Sequence, residues 1–238
     1  DTTTDAQGRT DFSVDADIAS ETQSQRTTLE ASVTDINGQQ VSNRTSVIVH
    51  QGEFYVGLAP QGRLAQVGES KPVDVLTVDW ESQPMADISL DVVVYKLDWY
   101  NVRERAENGR YYWTWTREET PVYTTTVTTD DEGRGLIDFV PEEAGSYRVR
   151  AFGRDEAENE IRSSTYVWVW GGETVWRREN NNRVDLVPNR DSYAVGDVAE
   201  ILIPSPFSGT MQALITIERG HVLETEVREI TGDRKSVV

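Results

Sequence analysis

The amino-acid sequence predicts an all-β protein of tandem antiparallel, immunoglobulin-like β-sandwiches, one complete and two partial. Three observations support this fold class: alternating apolar and polar residues in short runs between turn residues, no helical periodicity, and two internal repeats. The chain has 238 residues, which is more than one typical domain of about 100 to 150 residues. Its 37% hydrophobic and 9% aromatic content is typical of a folded protein.

The complete sandwich is predicted at residues 52–172. Between Phe54 and Trp170, seven segments have the composition of strands and are separated by Gly, Pro, Asn and Asp. They are FYVGLAP, PVDVLTVDW, ISLDVVVYKLDWYNV, YYWTWT continuing to PVYTTTVTT, GLIDFVP, GSYRVRAFGRD and TYVWVWG. Seven short strands in about 120 residues fit two antiparallel sheets that bury one face each. The chain has no cysteine, so the disulfide of an antibody-type domain is excluded.

The first repeat predicts the start of another sandwich in the last part of the chain. LAPQGRLAQVGESKPVDVLTV begins at Leu58, and LVPNRDSYAVGDVAEILI begins at Leu186, 128 positions later. Leu, Pro, Val and Gly coincide in one register without gaps. The shared Pro suits the end of an edge strand and the shared Gly suits a turn. We therefore predict that residues 183–238 are the N-terminal half of a sandwich, and that 173–182 form a linker.

The second repeat relates the beginning of the chain to the back of the complete sandwich. TTDAQGRTDF from Thr3 resembles TTDDEGRGLIDF from Thr128, and TSVIVHQG from Thr45 resembles TYVWVWGG from Thr165. Residues 1–51 are therefore predicted to be the C-terminal half of a sandwich.

Each half sandwich would expose an apolar face, which favours aggregation or unfolding. The halves are complementary, so we expect them to combine into one sandwich, within one molecule or in a strand-exchanged homodimer. The alternative is that each half persists as a small sheet packed on the middle domain.

The charge of the chain excludes one class of partner. It has 41 acidic and 23 basic residues, a formal net charge of -18. Nucleic-acid binding depends on Lys and Arg at phosphates, so no nucleic-acid partner is expected. No apolar run approaches the about 18 residues of a membrane span, and the first residues lack the pattern of a secretion signal.

Candidate catalytic and metal-binding residues do not form a consistent site. The two histidines, His50 and His221, are predicted at strand ends, which argues against a His-dependent triad. Carboxylate pairs such as Asp98 with Glu104 are expected by chance among 41 acidic residues. DDEG, which includes Asp130 and Asp131, lacks the oxygen spacing of a calcium loop and suits a hairpin turn. We predict no catalytic, cofactor-binding or metal-binding residue, and no cofactor.

Two aromatic stripes have two possible roles. Trp113 and Trp115 lie on one strand face, and so do Tyr166, Trp168 and Trp170. Such stripes stack sugar rings in many carbohydrate-binding modules, but they also pack cores and domain interfaces. The second role is favoured because YVWVW leads directly into the predicted linker.

The sequence from residue 186 resembles the macroglobulin-type domain of bacterial alpha-2-macroglobulins. The matching positions are Pro188, Tyr193, Gly196 and Asp197, then Ser205, Pro206 and Phe207, then Glu218, Arg219 and Gly220. The resemblance is strongest over 183–230, good over YVGLAPQGRLAQVGESKPVDVLTVDW and weak over the first 50 residues. The stretch KLDWYNVRERAENGRYYWTWTREE departs from it and is expected to lengthen a hairpin.

The resemblance implies scaffold domains of a bacterial protease trap. In this family, cleavage of a bait segment collapses the assembly around the protease, and a thioester in a separate domain links to it. The thioester requires a cysteine, so the present residues would be non-catalytic. EAENE at 156–160 could be cleaved, but it fits a hairpin turn better. The resemblance implies proteases as partners through the full-length protein and a periplasmic, cell-envelope or extracellular location. The alternative is a carbohydrate-binding, adhesin or spacer module of a cell-surface protein.

Overall fold

A computed structural model describes residues 2–16, 18, 23–105, 111–171, 184, 186–204, 209–231 and 234–237. Within these ranges the secondary structure consists of fifteen β-strands without a helix, in agreement with the predicted all-β class. None of these residues forms a helix able to span a membrane. By contacts the chain divides into two units, Asp1–Glu53 with Arg154–Ile161 and Phe54–Gly153 with Arg162–Val238. The domain boundaries at residues 51, 172 and 182 stay predictions.

The first unit contains an antiparallel hairpin of two strands, β1 (Gln25–Thr34) and β2 (Gln40–Val49). The two strands form a sheet of their own, and most of their side chains are exposed on both faces. The exposed side chains include Val33, Val41 and Ile48. A two-stranded hairpin on its own is only marginally stable in water.

The sandwich of the second unit has eight strands. They are β3 (Tyr55–Pro60), β4 (Leu64–Gln66), β5 (Lys71–Val78), β6 (Ser89–Arg105), β7 (Tyr111–Thr128), β8 (Arg134–Phe139), β9 (Gly145–Arg154) and β10 (Glu160–Trp170). One sheet has the order β4-β10-β9-β6-β7 and the other β3-β5-β8. Strand β4 is the addition to the seven predicted strands, and it pairs with β10 in parallel, unlike the antiparallel ladders of β3, β5, β6, β7 and β8. Its three residues are too few to show alternation.

The two sheets bury alternate side chains between them. Val73 and Val75 from β5 and Ile137 and Phe139 from β8 meet the five-stranded sheet. That sheet contributes buried residues of β6, β9 and β10: Val92, Val94, Val149, Ala151, Val167 and Val169. Burying an aliphatic side chain of this size stabilises the fold by about 1.5 to 3 kcal/mol.

The described residues of the stretch KLDWYNVRERAENGRYYWTWTREE, 96–105 and 111–119, lie in the long paired strands β6 and β7, as expected. The ladder runs from Ser89 opposite Thr128 to Arg105 opposite Tyr111, and its register shifts between Val94 and Tyr95, where β7 has one extra residue, Val122. Strand β9 pairs with β6 only from Asp91 to Leu97. Beyond Leu97, the described ladders therefore pair β6 with β7 and not with β9.

The last part of the chain forms two small antiparallel sheets. Strands β11 (Val187–Pro188), β12 (Glu200–Ile203) and β15 (Arg234–Val237) form one sheet. Strands β13 (Thr210–Glu218) and β14 (Val222–Thr231) form the other. No sheet of the described residues combines these strands with β1 or β2.

Five turns share one hydrogen-bonding pattern, which we call the Asp turn. In each, an Asp carboxylate oxygen accepts the amide protons two and four residues later, and the residue three positions later has a positive φ. The Asp residues are Asp5, Asp35, Asp79, Asp130 and Asp155. DDEG and EAENE, the candidate calcium loop and candidate cleavage site of the sequence, both lie in Asp turns.

Candidate interdomain junction

Apolar side chains join the eight-stranded sandwich to the strands that follow it. Leu64 of β4 and Leu202 of β12 are 8% and 0% exposed and form one buried cluster. Trp168 and Trp170 of β10 and Val187 of β11 pack against this cluster. Because β4 and β12 belong to different sheets, these five residues form a contact between two sheet systems, and we call this contact the junction.

The alternation of β10 places the two tryptophans at the junction. Val167 and Val169 point into the sandwich core, so Trp168 and Trp170 lie on the opposite face of the sheet. The parallel ladder sets Leu64 beside Trp168. The core residues of one strand therefore fix the position of the residues that contact the next sheet.

Asn189 adds hydrogen bonds at the edge of the junction. Its backbone oxygen accepts the amide of Arg63 at 2.8 Å, and its Oδ1 accepts the amide of Leu64 at 2.9 Å. Its Nδ2 donates to Glu200 Oε2 at 3.1 Å. The side chain of Asn189 thus joins the first residue of β4 to strand β12.

Gly62 permits this close approach. It has a φ of 79°, and a β-carbon at this position would lie 2.5 Å from Asn189 Oδ1. Any other residue would displace Asn189. A salt bridge between Arg63 and Asp191, with 2.7 Å between nitrogen and oxygen, lies beside this contact and is exposed to solvent.

Lys71 donates hydrogen bonds to the backbone of the same loop and of β4. Its side chain is buried, and its Nζ donates to the carbonyl oxygens of Gln61 at 2.8 Å and Leu64 at 2.9 Å. Burial lowers the pKa of Lys71 from its ordinary value of 10.5. Lys71 therefore fixes the backbone that presents Leu64 to the junction.

The structure distributes the candidate residues of the sequence over several places. Trp168 and Trp170 pack at the junction between two sheets of the second unit, whereas Tyr166 is 38% exposed, and an interdomain role of the stripe stays a prediction. The side chains of Trp113, Trp115 and Glu104 lie outside the described part. Asp98 forms a salt bridge with Lys96, and Asp130 and Asp131 lie in an Asp turn. His50 lies directly after β2, and His221 lies between β13 and β14. Among the described residues, no group of three or more His, Asp or Glu could hold a metal ion.

Sequence reasoning missed Asn189, although a signal for it was present. Gln61, Gly62 and Arg63 of the first repeat copy align with Asn189, Arg190 and Asp191 of the second. These two equivalent loops are the ones that contact each other. A polar loop that recurs after the same Pro is a candidate contact between the copies.

Comparisons with known proteins find a family model that matches most of the sandwich. Residues 57–170 match the model of bacterial macroglobulin domain 6. A curated alpha-2-macroglobulin homolog from a Nostoc species is 22% identical over 182 residues, which are 76% of this chain and 9% of the relative.

Two similar solved structures are bacterial alpha-2-macroglobulins. The native conformation of the Escherichia coli protein has a TM-score of 0.49 and 17% identity, over 99% of this chain and 16% of that one. The Salmonella protein reacted with methylamine has a TM-score of 0.44 and 16% identity, over 90% and 14% of the two chains. The chain thus spans less than a fifth of the length of these relatives.

Proposed function

We propose that the chain, whose residues 57–170 match the model of a bacterial macroglobulin domain, is a non-catalytic scaffold segment of an alpha-2-macroglobulin-like endopeptidase inhibitor that traps proteases. In this proposal the full-length protein binds the protease, and the present residues hold neighbouring domains at a fixed angle.

The junction is the observation that supports a scaffold role. Trp168, Trp170, Leu64 and Leu202 are used in packing between sheets, and Asn189 joins the two loops by hydrogen bonds. Buried apolar packing restricts the relative motion of the parts that it joins, which suits a scaffold. The chain contains no cysteine, so the thioester of the proposed inhibitor would belong to another part of the protein.

A capture assay tests the proposal. The chain alone and the full-length protein are each incubated with trypsin, and cleavage of a large protein substrate and of a small peptide substrate is measured. We expect the full-length protein to suppress cleavage of the large substrate and spare the small one, because an enclosed protease excludes large molecules. The chain alone should suppress neither.

Two results would contradict the proposal. Inhibition of trypsin by the chain alone would place the inhibitory machinery in these residues. Full activity towards the large substrate in the presence of the full-length protein would remove the trapping function. We further propose export to the bacterial periplasm, cell envelope or exterior, which fractionation of cells that produce the full-length protein tests.

For the isolated chain we propose a strand-exchanged homodimer. Apolar side chains are exposed on both terminal hairpins, among them Val41 and Ile48 on β2, Leu214 on β13 and Val227 on β14. Strands from a second copy would cover them. Size-exclusion chromatography with light scattering should report twice the chain mass, and a monomer at all concentrations would contradict the exchange.

A further inference from the structure

The outer face of the five-stranded sheet carries an unusual group of charges. Arg117 and Glu119 from β7 and Arg148 and Arg150 from β9 lie together there. Tyr95 of β6 and Tyr166 of β10 flank them. We call these six residues the arginine face.

One carboxylate serves three guanidinium groups. Glu119 accepts hydrogen bonds from Arg148 at 3.1 Å and Arg150 at 3.2 Å, and it forms a salt bridge of 2.9 Å with Arg117. Arg148 also donates to Ser164 Oγ at 3.2 Å. The Nε of Arg148 is buried and has no hydrogen-bond partner among the described residues. The group is therefore deficient in acceptors.

Aromatic rings hold the guanidinium groups in place. Arg150 lies 5.0 Å from the ring centroid of Tyr95, and Arg148 lies 5.8 Å from that of Tyr166. Arg117 lies 5.8 Å from the ring of Trp99. Stacking restricts the rotation of each Arg side chain, so less conformational entropy is lost when a ligand binds.

The local charge has the opposite sign to that of the chain. Three arginines and one glutamate give the arginine face a formal charge of +2, within a chain of net charge -18. Arg favours carboxylates because its fork donates two parallel hydrogen bonds. The whole chain repels long polyanions, so a few carboxylates on a protein surface fit this face better than nucleic acid or an anionic polysaccharide.

The arginine face continues an interface that is already present. The ring centroids of Tyr166 and Trp168 are 6.3 Å apart, and Trp168 packs at the junction. One face of the sheet thus includes both the covered junction at Trp168 and the charged arginine face, where Tyr166 is exposed.

We propose that the arginine face docks an acidic protein segment, whose carboxylates complete the pairing of Arg117, Arg148 and Arg150. This interaction goes beyond the proposed scaffold role and does not depend on protease trapping.

A peptide titration tests the docking. The probe is a fluorescently labelled oligoglutamate peptide, with oligolysine and heparin as charge and polyanion controls, and fluorescence anisotropy reports binding to the full chain at low ionic strength. We expect saturable binding of oligoglutamate that salt weakens. Arg117→Gln and Arg150→Gln should each weaken it by about fivefold. The matched control Arg134→Gln, an exposed Arg of the other sheet paired with Glu132, should leave it unchanged.

A fourth variant distinguishes docking from loss of folding. Glu119→Gln removes the negative charge that pairs with the three arginines, so it should tighten oligoglutamate binding, an effect that misfolding cannot produce. No saturable binding, equal weakening by Arg134→Gln, tighter binding of heparin than of oligoglutamate, or unchanged affinity in Glu119→Gln would each overturn the proposal.

Discussion

Asn189 shows how one side chain can connect two sheets. Its Oδ1 satisfies the amide of Leu64, and its Nδ2 pairs with Glu200. A part-buried backbone amide without a partner is costly, so the contribution of Asn189 exceeds that of an exposed ion pair.

Replacement of Asn189 by Ala should destabilise the second unit by about 1 to 3 kcal/mol, because the amide of Leu64 loses its acceptor. Urea unfolding monitored by tryptophan fluorescence measures the change. Asp191→Asn, which removes only the exposed salt bridge to Arg63, is the control and should cost less than about 1 kcal/mol. Equal effects of the two variants would contradict the assigned role of Asn189.

The lowered pKa of Lys71 predicts that the free energy of unfolding depends on pH. Its pKa in the folded state lies below the ordinary value of 10.5, because burial disfavours the charged form. The folded state therefore releases this proton at a lower pH than the unfolded state, and stability rises with pH between the two pKa values.

Relative to Lys71→Met, the wild-type chain should gain stability as the pH rises from neutrality towards 10.5. The urea midpoints of both proteins are measured across this pH range. Groups other than Lys71 titrate in both proteins, so their effect cancels in the difference between the two midpoints. A difference that is constant or that falls with rising pH would show that burial does not shift this pKa.

At the scale of elements, the repeat found in the sequence reappears as strand register. Pro60 of β3 lies opposite Val73, and Pro188 of β11 lies opposite Ile201. Pro188 follows Pro60 by 128 positions, and Ile201 follows Val73 by the same 128 positions, which is the offset of the sequence repeat. The repeat therefore predicts strand pairing as well as turns.

The Asp turn makes its own prediction about glycine. Gly133 has a φ of 70°, and a β-carbon there would lie 2.5 Å from the backbone oxygen of Thr77. Gly68 also has a positive φ, but no atom lies within 4 Å of the position of its added β-carbon. Gly133→Ala should therefore lower the free energy of unfolding by about 1 to 3 kcal/mol more than Gly68→Ala does. Thermal unfolding of both variants measures the comparison, and equal losses would show that the turn relaxes around the added methyl group.

The sequence predicted the elements that carry periodicity and missed those that depend on tertiary contact. Alternation located strands such as β5 and β9. Strand β4 has only three residues, and tertiary contacts to β10, Asn189 and Lys71 hold it in place. The arginine face also escaped prediction, because Glu119 meets Arg148 and Arg150 across strands that are far apart in the chain.

At the scale of the molecule, the net charge of -18 opposes compact folding through self-repulsion. Screening reduces this repulsion, since the Debye length falls from about 30 Å at 0.01 M salt to about 8 Å at 0.15 M. We therefore expect the urea midpoint of unfolding to rise when sodium chloride is increased over this range. A midpoint that falls would indicate that attractive pairs such as those of Glu119 outweigh the repulsion.

The contact between the loops Gln61–Arg63 and Asn189–Asp191 limits how such units can be assembled. Each loop is the counterpart of the other in its own repeat copy, and each is occupied by that counterpart. A third copy would find no vacant loop of this kind, so the contact closes on a pair and does not propagate as a head-to-tail filament. In a longer chain of sandwiches, successive steps would have to alternate between this interface and a chemically different one.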